Sequence, residues 1–162
     1  MSAPTLREAP GSADERAVRE LVRSTGFFTP EEVEIAAELV REALERGEAS
    51  GYRFLFLERG LELAAYTCFG PIAGTDSSYD LYWIATRADL QGQGLGRSVL
   101  AATEELIAGL GGSRIYVETS STPKYDPTRL FYERSGYERS AVLHDFYRRG
   151  DGKVIYCKAL AR

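Results

Sequence analysis

The sequence predicts a mixed α/β fold: a central, mixed and twisted sheet of about seven strands flanked by about four helices. Up to Gly47 the apolar residues recur at helical spacing, whereas from Tyr52 to Gly70 they fall in strand-like runs around a turn. A strand–helix–strand passage follows between Leu81 and Ser121, which implies a parallel pair, and the chain closes on a second hairpin. The order is β-α-α-β-β-β-α-β-α-β-β, with helices expected on both faces. A chain of 162 residues is long enough for one such domain, 1–162, with its own core.

Each element has local reasons. A first strand is expected near Thr5–Glu8. SADERAVRELVRSTG reads as a helix: Ser12 and Glu15 stand at capping-box spacing, Val18, Leu21 and Val22 form the stripe, and Gly26 closes it. TPEEVEIAAELVREALERG is a second helix, with Thr29 as N-cap, Pro30 first inside, Glu32 completing the box and Gly47 stopping it. Phe27 and Phe28, between the two, either staple the second helix to the core or touch a substrate. YRFLFLERGLELAAYTCFG gives two strands about a turn at Glu58–Gly60. GPIAGTDSSYD is a polar connection, and LYWIAT (Leu81–Thr86) is apolar enough to suit a strand buried on both faces. After a glycine-rich segment, Val99, Ala102, Leu106 and Leu110 share one helical face, and Gly111–Gly112 ends that helix. SRIYVETSS is a strand, and DPTRLFYERSG a short helix with Pro127 near its start and Gly136 past its end. YERSAVLHDFY and KVIYCKAL are strands around the turn Arg149–Gly152.

Composition removes several functions. With a hydrophobic fraction of 44% and a net charge of −4, the chain is an ordinary globular sequence without the basic field that nucleic acid or an anionic membrane needs. Cys68 and Cys157 are too few for a disulfide framework or a four-ligand zinc site, so no metal is expected. The first residues have no long apolar segment, and no apolar run is long enough to span a bilayer. A cytoplasmic protein, monomer or homodimer, is the expectation.

The segment Asp89–Leu100, DLQGQGLGRSVL, packs Gly92, Gly94 and Gly96 into the point where a strand ends and a helix begins. Glycine there costs helix stability, roughly 1 kcal/mol each against alanine. Backbone amides laid bare at a helix N-terminus bind anions, phosphate above all. The dinucleotide fingerprint G-x-G-x-x-G fails on spacing, and the phosphate loop G-x-x-x-x-G-K-[ST] fails because no Lys-Ser or Lys-Thr follows. Q-x-x-G-x-G fits, with Gln91, Gly94 and Gly96.

In that motif, in the element order and in LFYERSGYE (Leu130–Glu138), the sequence resembles the GCN5-related N-acetyltransferases (GNAT) over nearly its whole length. The resemblance implies acetyl-coenzyme A as cosubstrate. Its pyrophosphate would rest on Gln91, Gly92, Gln93, Gly94, Leu95 and Gly96, with Arg97 or Arg87 as nearby cations. A Cβ at Gly94 or Gly96 would hold the amides off the oxygens. Pantetheine would bond the strand edge at Ile84, Ala85 and Thr86. An amine attacks the thioester directly, so a proton must leave the amine and one must reach the thiolate. Tyr132 matches the family's tyrosine acid. Glu118 and Asp80 are candidate bases, a water chain being the alternative; a backbone N–H near Ile84 would face the oxyanion. Many relatives carry an asparagine where this chain has Tyr125, so its role would pass to Thr119, Ser120 or Ser121.

The acceptor side would draw on Phe27, Phe28, Asp80 and His144, the last placed in a loop after the sixth strand. The acceptor expected is a small amine or amino-acid-like molecule. A protein amine, or a non-catalytic acyl-coenzyme A sensing module, is the alternative.

Overall fold

The computed structural model describes residues 3–161. Its elements are β1 (Thr5–Arg7), α1 (Asp14–Ser24), α2 (Pro30–Arg46), β2 (Arg53–Arg59), β3 (Glu62–Pro71), β4 (Ser78–Thr86), α3 (Leu95–Gly109), β5 (Arg114–Ser120), α4 (Asp126–Arg134), β6 (Glu138–Arg148) and β7 (Asp151–Ala159). The strands order β1-β2-β3-β4-β5-β7-β6 in one seven-stranded sheet. β4 and β5 are parallel while β2–β3, β5–β7 and β6–β7 are antiparallel, so the sheet is mixed as expected. The chain divides into two compact units, one of residues through Gly70 with Tyr82–Leu106, the other of Pro71–Leu81 with residues from Ile107 onward.

In the first unit, α2 begins as its sequence dictates. Glu32 N–H donates to Thr29 Oγ1 at 3.2 Å and Thr29 N–H donates to Glu32 Oε1 at 3.0 Å, a complete capping box. α1 does not. Its N-cap is Ala13, with no side-chain cap, because Asp14 has taken over the start of the helix. The Asp14 carboxylate, 5% exposed, accepts Gly11 N–H at 2.6 Å and a fork from Arg7 at 2.8 Å. Glu15, expected in the box, instead pairs with Arg41 of α2 at 2.5 Å. Val18, Leu21, Val22, Val33, Ala36 and Val40 turn inward onto Phe54, Phe56, Leu63 and Tyr66 of β2 and β3. Each valine, leucine or phenylalanine among them contributes about 1.5–3 kcal/mol on burial. Two buried hydroxyls, Thr67 of β3 and Thr103 of α3, lie 2.7 Å apart, with Thr103 donating to Val99 O at 2.7 Å.

Two expectations about burial are corrected. The inward stripe of α3 is Val99, Leu100, Thr103 and Ile107, and Leu110 is exposed. A polar Thr103 sits on the core face because Thr67 partners its hydroxyl, so apolarity alone misplaces the stripe. In β4, Leu81 and Ala85 are buried but Tyr82 is exposed, so the strand is not covered on both faces. Its large rings lie against other rings instead, Tyr82 edge-on to Tyr52 at 5.4 Å and Trp83 against Phe28 at 4.9 Å.

In the second unit, the parallel pair starts under a clasp. Ser77 and Ser113 hydroxyls meet at 2.5 Å, and Ser113 N–H donates to Ser77 O at 2.8 Å. Registered pairing then covers Ser78–Asp80 with Arg114–Tyr116 among the described residues, whereas β4 continues to Thr86 and β5 to Ser120. β7 pairs with all seven residues of β5. Cys68, in the first unit, and Cys157, on β7, are both buried free thiols, and burial pushes the Cys68 thiol well above its usual range.

Candidate active site

The glycine segment belongs to the first unit. After Thr86 the chain is anchored by Arg87 N–H donating to Ala64 O at 2.9 Å, makes a 3-10 turn over Ala88–Leu90, and becomes extended at Gln91. Gly92 and Gly94 follow at φ +82° and +81°, and α3 starts at Leu95, whose side chain is buried. Left-handed backbone costs an L side chain roughly 1–2 kcal/mol per residue, which explains both glycines. A Cβ on either would meet nothing within 4 Å, so at Gly94 conformation sets the choice of glycine, not contact with the protein. Gly96 lies in the first turn of the helix. The first amides of a helix have no intrahelical acceptor and carry the positive end of its dipole.

Side chains around the segment divide into committed and uncommitted cations. Arg87 is held by Glu62 at 2.6 Å and Asp89 at 2.7 Å, which neutralises it. Arg97 is exposed in the first turn of α3, with no carboxylate in ion-pair range among the described residues. Gln91 Nε2 donates to Thr86 O at 3.3 Å, tying the segment back to the end of β4. Amide donors and a cation, with no acidic side chain from Gln91 to Arg97, form a set suited to an anionic pyrophosphate. Along β4, Ala85 is buried, while Ile84 and Thr86 are half-buried. Phe28 packs on the core and against Trp83, as a staple would, and Phe27 stands edge-on to it at 5.1 Å, half-buried.

The remaining predicted residues belong to the second unit. Tyr132 on α4 is 4% exposed, with Phe131, Tyr137 and Tyr156 rings at 5.5, 5.7 and 5.9 Å. Burial pushes its hydroxyl well above the usual phenol range, so it stays protonated at neutral pH. Glu118 on β5 forms an ion pair with Lys153 of β7 at 2.9 Å. Asp80 on β4 is affected by burial first and by the Glu118 charge second, both raising its affinity for a proton, with Lys153 opposing. The Lys153 ammonium also lies 3.8 Å over the Phe146 ring. Asp80, Glu118 and Lys153 thus form one electrostatic group. His144 is not in a loop: it is exposed within β6, just where register against β7 is lost between Leu143 and Arg148. Asp145, at φ +55°, accepts Gly150 N–H at 2.8 Å and holds that bulge.

Sequence reasoning missed Lys153 and Arg129. Lys153 is diagonal to Glu118 across the β5–β7 ladder, where Glu118 faces Ile155, so the signal exists once register is known. Asp151 accepts the Ser120 hydroxyl at 2.5 Å, and Ser121 accepts Gly152 N–H at 2.7 Å. Arg129 donates to the carbonyls of Ser120 and Thr122 and pairs with Asp126. Of the three hydroxyls named as replacements for the absent asparagine, Ser120 and Ser121 are engaged. Thr119 Oγ1 is buried without a hydrogen-bond partner among the described residues.

A parallel strand pair whose registered pairing stops before either strand ends, the first strand followed by an amide-rich turn into a helix, defines the class to which this fold belongs. The acetyltransferase (GNAT) family model matches residues 17–137, and the chain belongs to that family. It is 46% identical to a GNAT-family protein from Desulfovibrio desulfuricans over 98% of this chain and 100% of that one, with a TM-score of 0.96. An aminoglycoside 6'-N-acetyltransferase complexed with coenzyme A shares the fold at 19% identity, 98% of each chain and TM-score 0.80. So does the ribosomal-protein-S18-alanine N-acetyltransferase of Escherichia coli, at 18% identity, 99% of this chain, 96% of that one and TM-score 0.76. No curated protein sequence matches the chain. The family uses acetyl-coenzyme A. No helix among the described residues is long and apolar enough to cross a membrane, and none of their acidic, histidine and cysteine side chains cluster as a metal site.

Proposed function

We propose that residues 1–162 form one acetyl-coenzyme A-dependent N-acetyltransferase domain whose acceptor is a primary amine on a small or amino-acid-like molecule. The observation that carries this is the Gln91–Gly96 segment, two left-handed glycines opening onto the first turn of α3 immediately after β4. The family model spans both units, which supports a single domain. When bound, acetyl-coenzyme A supplies an activated thioester.

The chain's own residues do the rest. Amides from Gln91, Gly92, Gln93, Gly94, Leu95 and Gly96 hold the pyrophosphate, with Arg97 adding charge. Ile84, Ala85 and Thr86 offer a strand edge to the pantetheine amides. Thr119, with its hydroxyl uncommitted, takes the contact that relatives assign to asparagine. Tyr132 delivers its phenolic proton to the departing sulfur; burial keeps the hydroxyl protonated at neutral pH. Glu118 and Asp80 are the proton acceptors for the amine. The raised proton affinity of Asp80 favours it, Glu118 being balanced by Lys153. Phe27, Phe28, Asp80 and His144 are assigned to the acceptor side.

Thiol release from acetyl-coenzyme A across small amines, amino acids and short peptides tests the reading. Turnover with a preferred small amine supports it, and turnover with peptides alone moves the acceptor to a protein. Tight coenzyme A binding without release from any acceptor would make the chain a sensor and defeat the proposal.

A further inference from the structure

The turn joining β2 to β3 lies against the Gln91–Gly96 segment. Besides the Arg87–Ala64 bond, Arg59 Nη1 at the end of β2 donates to Gln93 Oε1 at 3.1 Å. Arg59 and Arg87 are held in different ways. Arg87 sits between two carboxylates. Arg59 has no carboxylate in ion-pair range among the described residues, and its Nε is buried without a hydrogen-bond partner. Most arginines that pair in this chain do so with Asp or Glu; here a partly buried guanidinium meets one neutral amide oxygen.

A guanidinium presents five donors and a permanent charge in a planar fork. Burying part of it without a counter-charge lowers stability, so the chain carries a cost that the folded protein alone does not recover. The fork matches a phosphate, which accepts two parallel N–H bonds. Its tether sets it beside the anion-binding segment, because Gln93 stands between the two left-handed glycines.

We infer that Arg59 is a donor-binding residue: it grips a phosphate at the nucleotide end of coenzyme A, with Gln93 positioning the guanidinium. The inference rests on the function proposed above, since it needs the segment to hold coenzyme A. Either the pyrophosphate or the 3'-phosphate offers the required chemistry.

Calorimetric titration of the full chain with coenzyme A and with 3'-dephospho-coenzyme A tests it, using wild type, Arg59→Gln, Arg59→Lys and Gln93→Ala. Arg59→Gln is expected to weaken coenzyme A binding about tenfold or more, and Arg59→Lys to keep part of that affinity. The KM for acetyl-coenzyme A should rise in step while kcat at saturating donor holds, a split that a merely structural arginine would not give. An equal loss with both ligands assigns the pyrophosphate; a loss confined to coenzyme A assigns the 3'-phosphate. Gln93→Ala leaves the buried stem of Arg59 intact and should weaken binding about threefold. It keeps the test valid should Arg59→Gln fail to fold. Wild-type affinity in Arg59→Gln, or in Gln93→Ala if that is the folded variant, overturns the inference alone. No binding of coenzyme A by the wild-type chain overturns the proposed function with it.

Discussion

Replacing Tyr132 with phenylalanine removes one oxygen and keeps the ring. The packing partners remain, three aromatic rings with centroids within 5.9 Å, so no cavity of consequence forms. The loss to stability is then at most that of one net hydrogen bond, about 0.5–1.5 kcal/mol. General-acid catalysis contributes about 10²–10⁴ in rate, or about 3–5 kcal/mol on the barrier. The two magnitudes differ enough to separate a packing role from a chemical one. Thiol release at saturating donor and acceptor, with a thermal melt on the same sample, is the assay. We expect kcat to fall about a hundredfold or more while both KM values stay within about threefold and the melt moves a few degrees at most. The wild-type pH profile should agree. Burial holds the Tyr132 proton well past the usual phenol range, so this group costs no activity as pH rises from about 7 to 10. A phenylalanine variant with kcat within about twofold of wild type would refute the acid role.

Other substitutions test other links in the chain of reasoning. Gly94→Ala places a side chain at φ +81° with open space around it, so stability should fall by about 1–2 kcal/mol in a urea melt while the KM for acetyl-coenzyme A rises. Thr103→Val strands the buried Thr67 hydroxyl and should cost about 1–3 kcal/mol; adding Thr67→Val should cost no more, or recover part, in a double-mutant cycle. Asp80 has a folded pKa above its unfolded one, so its ionised form penalises the fold, a penalty absent below about pH 3.9 and complete above the raised value. Asp80→Asn should therefore raise the melting temperature at pH 7, with the gain fading toward pH 3, and lower turnover.

Local chemistry was legible in the sequence wherever a segment decides its own structure. Thr29, Pro30 and Glu32 form α2's start from within four consecutive residues, and the reading survives intact. Ser12 and Glu15 have the same spacing, yet distant partners outbid them: Arg7 draws Asp14 into the helix start and Arg41 draws Glu15 away. Thr103 lies outside the predicted stripe of Val99, Ala102, Leu106 and Leu110 and yet is buried, because Thr67, 36 positions away, is its partner. His144 falls in β6 because Asp145 absorbs a bulge inside the strand, and a bulge leaves no composition signature. The Gln91–Gly96 motif could be read because its glycines are a conformational requirement, whereas Lys153 beside Glu118 depends on sheet register, which sequence spacing does not contain.

The two buried thiols bear on how such an enzyme is measured. Colorimetric detection of coenzyme A relies on a reagent that reacts with thiolates, and any reactive cysteine in the catalyst adds a false signal. Cys68 is fully enclosed and its ionisation suppressed by burial, and Cys157 is buried on β7. Reactivity follows the exposed thiolate fraction, so the folded chain should be nearly silent toward the reagent. Colour that appears with native protein then reports released coenzyme A, and colour that appears without acetyl-coenzyme A reports unfolding.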